Sequence, residues 1–163
     1  TGIAAAMAAG ILLAVLTCVS RAADQLLAPI FLMIRATPVA SFTILILLWI
    51  DRGWVPVLIA GLMVFPVVWA NVSEGIRKTD SGLLEMAKLY QVRPVLILRQ
   101  IYLPSVRPYF ISACRSVLGF GWKAGIAAEV LTVPKVSIGR MIFESKLYLM
   151  TTELFAWTAA VIL

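Results

Sequence analysis

Ionisable side chains interrupt the apolar stretch between residues 106 and 131. If this stretch is helical, several polar or small residues fall within about a third of its circumference, at about 100° per residue. They are Ser112, Arg115, Gly119, Trp122 and Glu129, with Lys123 just beside them. An ionisable residue within a membrane span is costly and usually faces a bundle interior or a wet cavity. The stripe therefore predicts the lining of a solute path, in which Arg115 and Lys123 attract an anion.

Structural roles for the same residues stay open. Arg115 can extend to a membrane surface, Lys123 can pair with a neighbouring helix, and Glu129 can lie at the opposite surface. Gly121 and Gly125 form a G-x-x-x-G pair, which is typical of close helix packing. That packing can form the contact between two copies of the chain or a gate.

The sequence argues against enzymatic or metal chemistry. It has no histidine, so it can build neither a Ser-His nor a Cys-His pair, and a zinc centre is disfavoured. Cys18 and Cys114 lie in apolar stretches without metal-ligand spacing. Glu129 and Glu144 are separated by a polar loop that fixes no distance between them. No phosphate-binding glycine signature is present. We therefore expect no catalytic residue, no metal and no cofactor on this chain.

A polar, basic stretch, residues 79–104, lies between long apolar runs and predicts two short helices at a membrane surface. Asp80 or Ser81 can cap the first helix by accepting a bond from a free backbone N–H. Leu83, Ala87 and Tyr90 then recur at helical spacing and predict one apolar face.

Two prolines frame the second of these helices. Pro94 suits a first helical turn, where its missing N–H has no partner to lose. Pro104 predicts the end of the helix, because proline disrupts a helix interior. The expected result is a helix, a bend and a second helix.

Glu85, Met86 and Ala87, followed at the proper interval by Ile101, Leu103 and Pro104, resemble the EAA signature of membrane subunits of bacterial ABC importers. Met86 replaces an alanine of that signature, and Gln91 stands where the family usually has glycine. A glycine there commonly serves a left-handed turn, so Gln91 must accept a backbone penalty or turn differently. Flanking segments, such as GWKAGIAAEVL, are similar to permeases of the nitrate, sulfonate and taurine group, and the resemblance covers nearly the whole chain.

The resemblance implies a non-enzymatic permease subunit that works with other proteins. Its partners are cytoplasmic ATPase subunits that bind ATP and Mg, a second permease copy in a homodimer, and an extracytoplasmic solute-binding protein. The implied ATPase-coupling residues are Gly82, Leu83, Leu84, Glu85, Met86, Ala87 and Gln91. The implied solute is a small anion such as a sulfonate or nitrate.

Composition predicts an all-α, polytopic transmembrane bundle. Of 163 residues, 62% are hydrophobic and 13% charged, against roughly 45–50% and 25% in soluble domains. Lipid is therefore the expected solvent, and about five spans are expected. The longest predicted spans are residues 2–19, 55–72 and 106–131. A shorter segment, residues 39–50, forms a helical hairpin with the span at 55–72, and the last predicted span is residues 148–163. Residues 21–35 predict an interfacial helix broken near Pro29. We expect one domain over residues 1–163, truncated at both ends.

The basic residues predict orientation in a bacterial plasma membrane. With residues 79–104 cytoplasmic, the inner side holds Arg21, Arg35, Arg77, Lys78, Lys88, Arg93, Arg99 and Arg107, and the outer side holds Arg52, Lys135, Arg140 and Lys146. The net charge of +6 is thus explained by topology, and we expect no nucleic-acid partner. An ion-coupled carrier or channel that needs no ATPase remains the alternative.

Overall fold

The protein is helical throughout the residues that the computed structural model describes, 2–162. The helices are α1 Gly2–Val19, α2 Arg21–Ala36, α3 Val39–Leu47, α4 Val55–Arg77, α5 Ser81–Leu89, α6 Pro94–Ile97, α7 Leu103–Thr132, α8 Ile138–Leu147 and α9 Thr151–Ile162. A π-helical turn, Leu98–Tyr102, joins α6 to α7. The predicted all-α fold is confirmed.

Helix α4 is the centre of the bundle and packs against both α1 and α7. Its buried side chains include Ile59, Val64 and Val68, none of which is exposed to any measurable extent. Two aromatic rings of α4 hold Phe31 of α2 in edge-on contacts: the ring centroids lie 4.8 Å from Phe65 and 4.5 Å from Trp69. Burial of these side chains fixes the relative positions of α1, α2, α4 and α7.

Small residues allow α7 to approach α4 closely. A Cβ added at Gly121 would lie 2.7 Å from Cγ2 of Val64, and one at Gly125 would lie 3.8 Å from Cβ of Ala60. The interpretation of this glycine pair as a helix-packing face is thus confirmed, and the contact is made within one chain. Gly10 plays the same part on α1, where an added Cβ would lie 2.9 Å from the carbonyl oxygen of Phe65.

Fewer helices meet the length and hydropathy of a membrane span than the five we expected. Gly2–Val19 and Val55–Arg77 do so alone, and the bent pair α2 and α3 adds a third if it counts as one span. The last predicted span has only 12 described residues in α9, and α3 has only 9, whereas a span needs about 20. Helix α7 is long enough at 30 residues, but its charged stripe lowers its mean hydropathy.

The second segment breaks at a different proline from the one predicted. Helix α2 continues through Pro29, and the chain bends by 98° between Ala36 and Val39. Pro29 removes only the bond to the carbonyl of Gln25, and both residues lie on the exposed side of α2. At Pro38 the break is complete, because the preceding Thr37 takes the extended conformation that a proline favours, with ψ of 135°.

Candidate coupling surface and membrane path

Helix α5 begins where its capping residue predicts. Oδ1 of Asp80 accepts a hydrogen bond from the backbone N–H of Gly82 at 2.8 Å, so Asp80 and not Ser81 is the N-cap. The negative charge also lies at the positive end of the helix dipole. The cap fixes the start of the nine-residue helix that carries the proposed coupling residues.

Gln91 adopts the left-handed conformation that a glycine would adopt more easily, with φ of 49°. Two hydrogen bonds close the end of α5 around it: Val92 N–H donates to the Ala87 carbonyl at 2.9 Å, and Gln91 N–H to the Lys88 carbonyl at 3.1 Å. This pair of bonds is the Schellman motif. The bend after α5 therefore forms as the glycine of the signature would form it, and Gln91 accepts the strain.

The apolar face predicted for α5 is wrong in part. Ala87 is buried, with 2% of its surface exposed, but Leu83 is 43% and Tyr90 74% exposed. Helix α5 ends at Leu89, so Tyr90 has already left the helical repeat. Glu85 and Gly82 are exposed as well, and Leu84 is half-buried. The helix thus presents most of the predicted coupling residues to its surroundings.

Exposed apolar side chains gather on and after α5, and we call them the coupling patch. Its members are Leu83, Met86, Leu89, Tyr90, Val95 and Leu98. Met86 is 50% exposed and Leu89 82%. A run of exposed apolar residues flanked by charges marks a site of protein or membrane contact.

Pro104 does not end the second helix, contrary to prediction. The chain is helical from Pro94, which begins α6 as predicted, through the π-turn and on to Thr132. In the π-turn Leu103 N–H reaches back five residues to the Leu98 carbonyl. This wider turn gives room for a proline ring that would otherwise clash with the carbonyl four residues before it.

The predicted stripe lies on the side of α7 away from α4. Ala113, Val117, Ala124 and Ala128 are buried against the bundle, whereas Ser112, Arg115, Gly119, Trp122 and Lys123 are exposed. A Cβ added at Gly119 would meet no atom within 4 Å. Arg115 and Lys123 form no ion pair with any residue between 2 and 162. The bundle therefore leaves one charged face of α7 uncovered.

Two residues of the stripe have structural partners. Oε2 of Glu129 accepts a hydrogen bond from the backbone N–H of Gly139 at 3.0 Å, which ties α7 to the first turn of α8. Nε1 of Trp122 donates to the Val161 carbonyl at 3.1 Å and so reaches α9. The structure thus separates Glu129, which is half-buried, from the five exposed stripe residues.

Two ion pairs lie at the C-terminal end of α4, next to α5. Arg77 and Asp24 of α2 lie 2.6 Å apart, and Lys78 and Glu74 lie 2.9 Å apart. The hydrogen bond with Glu74 raises the pKa of the Lys78 ammonium.

Sequence reasoning missed one cavity. Arg35, which we expected among the basic residues of the inner side, lies beside the middle of α4. It lines a cavity of about 390 Å³ together with Asn71 of α4 and Ser116 of α7. The available signal was an arginine two residues before the breaking Thr37-Pro38 pair, within an apolar segment.

These features define a helical membrane protein in which a short, exposed helix interrupts a bundle built on α4. The chain belongs to the family described as binding-protein-dependent transport system inner membrane component, whose model matches residues 6–163. The family's description is that of a transport component of a membrane.

Curated relatives agree with this family. The chain is 27% identical over 148 residues to the putative aliphatic sulfonates transport permease protein SsuC of Bacillus subtilis (strain 168), covering 90% of this chain and 53% of the relative. It is 28% identical over 136 residues to the bicarbonate transport system permease protein CmpB of Synechocystis sp., covering 75% and 44%. It is 26% identical over 150 residues to the nitrate import permease protein NrtB of Leptolyngbya laminosa, covering 84% and 49%. The chain spans about half the length of these relatives.

Proposed function

We propose that this chain is the membrane-spanning part of an ATP-driven importer for a small anion. The observation that carries the proposal is the coupling patch on α5, because a capped helix with exposed apolar side chains needs a partner to cover it. The relatives are named for transport of sulfonates, bicarbonate and nitrate, and these three solutes share a negative charge.

The proposed partners follow from the family. A cytoplasmic ATPase binds ATP and Mg and contacts α5 through Glu85 and Met86. The remaining coupling residues maintain the conformation of the helix: Gly82, Leu83, Leu84, Ala87 and Gln91. A second permease copy forms a homodimer, and an extracytoplasmic protein delivers the solute. The chain crosses the bacterial plasma membrane several times, with residues 79–104 in the cytoplasm.

The exposed stripe on α7 supports the proposed dimer. Charged side chains facing lipid are costly, so Arg115 and Lys123 require a wet or protein-lined environment. The second copy, facing this stripe across a central path, supplies that environment. ATP-driven closure of the ATPases then moves α5 and switches the path between its inward- and outward-facing states.

Met86→Arg tests the coupling surface in the full-length protein produced with its ATPase. The side chain is half exposed, so the change leaves the bundle intact while adding charge and bulk to the patch. We expect co-purification of the ATPase to fall at least tenfold. Glu153→Lys on the exposed start of α9 is the matched control and keeps normal co-purification. Unchanged ATPase recovery with Met86→Arg contradicts the proposal.

Transport by the permease alone tests the competing class. An ion-coupled carrier moves solute under an ion gradient without ATP or an ATPase. Proteoliposomes that contain the permease alone should therefore accumulate no nitrate, bicarbonate or methanesulfonate under a sodium or proton gradient. Accumulation there would favour the carrier.

A further inference from the structure

The cavity at the bend between α2 and α3 gathers polar groups from three helices. Its walls include Ile34 and Arg35 from α2, Pro66 and Asn71 from α4, and Ser116 and Phe120 from α7. Its volume of about 390 Å³ lies within the roughly 300–1,000 Å³ typical of ligand pockets. Mostly apolar walls with a few convergent polar groups are characteristic of small-molecule sites.

The cavity lies far from the charged end of α4. Asp24 contacts Arg77 at that end, and Arg35 is eleven residues further along α2, about 16 Å at about 1.5 Å per residue. The α4 residues that line the cavity, from Leu62 to Asn71, lie about 9–22 Å from Arg77 on the same scale. With Arg77 at the cytoplasmic surface, as the proposed orientation has it, these distances place Arg35 about half-way through a hydrocarbon core about 30 Å thick.

Nothing in residues 2–162 neutralises this guanidinium. Arg35 forms no ion pair with the described acidic residues, and the cavity walls contain no carboxylate. An arginine held at mid-depth without a counter-charge therefore requires an anion or water from outside the chain.

Donor groups around Arg35 suit an oxyanion. A guanidinium presents a planar fork of N–H donors that matches the oxygens of carboxylate- and phosphate-like groups. Asn71 uses one of its two amide N–H groups on the Val67 carbonyl at 2.8 Å and keeps the other. Ser116 adds a hydroxyl donor from the opposite wall.

Ser116, in the cavity wall, lies on nearly the same side of α7 as the exposed stripe. At about 100° per residue, Ser116 lies within about 20° of Lys123 and about 40° of Ser112 around α7. With the start of α7 cytoplasmic, Lys123 lies on the outer side of Ser116, so an imported solute passes Lys123 before it reaches Arg35. Arg35 of α2 and Lys123 of α7 therefore provide two successive positive charges along the proposed path.

We propose that Arg35, assisted by Asn71 and Ser116, binds the transported oxyanion at mid-membrane. The proposal rests on the proposed function, since it assigns to that anion a specific place in the path. The ligand class is a small monovalent oxyanion, such as a sulfonate, nitrate or bicarbonate. Arg35 is thus a specificity-determining residue outside the stripe that the sequence singles out.

Uptake kinetics in proteoliposomes test the assignment, with the full-length permease, its ATPase and its solute-binding protein reconstituted together. Nitrate, bicarbonate and methanesulfonate are the probes, and the one that the native complex imports is then used for the variants. We expect Arg35→Gln to raise KM for uptake at least tenfold and Arg35→Lys to raise it less. Arg21→Gln, which removes the same charge from the start of α2, should leave KM within twofold.

The outcomes separate the two proposals. If the native complex imports none of the three anions with ATP, the proposed function fails and the binding site with it. If it imports one, and Arg35→Gln has native KM, the function stands and the site is refuted.

Thiol labelling covers the case in which Arg35→Gln does not assemble. In a variant with Cys18 and Cys114 replaced by alanine, Ser116→Cys, which keeps Arg35 and lies in the wall of the same cavity, is treated with a negatively charged, membrane-impermeant methanethiosulfonate reagent. We expect modification that the imported anion slows at least threefold. A thiol that does not react, or whose reaction the anion leaves unchanged, overturns the proposal.

Discussion

Gly121 and Gly119 lie two residues apart on α7, yet substitution by alanine should have opposite effects on protein stability at the two positions. At Gly121 an added Cβ meets Cγ2 of Val64 at 2.7 Å, whereas at Gly119 it meets no atom within 4 Å. Val64 is fully buried and β-branched, so its χ1 has little freedom to move the methyl group away. Gly121→Ala therefore forces α4 and α7 apart, and Gly119→Ala does not.

The size of the difference follows from comparing the two variants. In both variants alanine has a higher helix propensity than glycine, by about 0.8–1.0 kcal/mol. This contribution is the same in both, so it drops out of the difference in stability between them. What remains is the overpacking cost at Gly121, about 1–3 kcal/mol. Gly119→Ala should then be as stable as the native protein or more so. At about 2–4 °C per kcal/mol, Gly121→Ala should unfold several degrees below Gly119→Ala.

Thermal unfolding of the purified full-length protein in detergent, followed by tryptophan fluorescence, measures this difference directly. Each variant is compared at the same detergent and protein concentration, because both affect the apparent Tm. A Tm for Gly121→Ala equal to or above that of Gly119→Ala would refute the close contact between α4 and α7.

Three further contacts are tested by the same unfolding measurement. Gln91→Gly should raise stability by about 1 kcal/mol, because glycine adopts the left-handed conformation without the Cβ penalty; a lower Tm would contradict the Schellman turn. In the native protein the buried Nε1–H of Trp69 donates to the Thr17 hydroxyl at 3.0 Å. Thr17→Val leaves this N–H without a partner and should lower the free energy of unfolding by about 1–3 kcal/mol, whereas Thr17→Ser should lower it less. A double-mutant cycle on Asp24 and Arg77 should give a coupling of about 1 kcal/mol or less, since both side chains are partly exposed; a coupling above about 2 kcal/mol would show a drier ion pair.

Local chemistry made much of the fold predictable. Asp80, Pro94 and the left-handed turn at Gln91 each depend on backbone groups within a few residues, so their outcome follows from side-chain type. The polar stripe on α7 was also predictable, because helical periodicity alone decides which residues share a face.

Predictions failed where the outcome depends on distant parts of the chain. Pro29 remains inside a helix because it and Gln25 lie on the exposed side of α2, and Pro104 because a π-turn makes room for it; both facts depend on how the chain folds around these residues. The cavity beside Arg35 was not predicted, because it depends on how α2 aligns with α4. That alignment is fixed by the contact between Asp24 and Arg77 and by the packing of Phe31.

The unbroken helical path from Pro94 to Thr132 has a mechanical consequence. Its 39 residues span roughly 58 Å at about 1.5 Å per residue, so it reaches from beside α5 to the first turn of α8 as one shaft. Under the proposed coupling, force applied next to α5 would pass along this helical path without an intervening loop. The π-turn Leu98–Tyr102 and Pro108 inside α7 both permit bending, and both come before Arg115 and Lys123 in the chain.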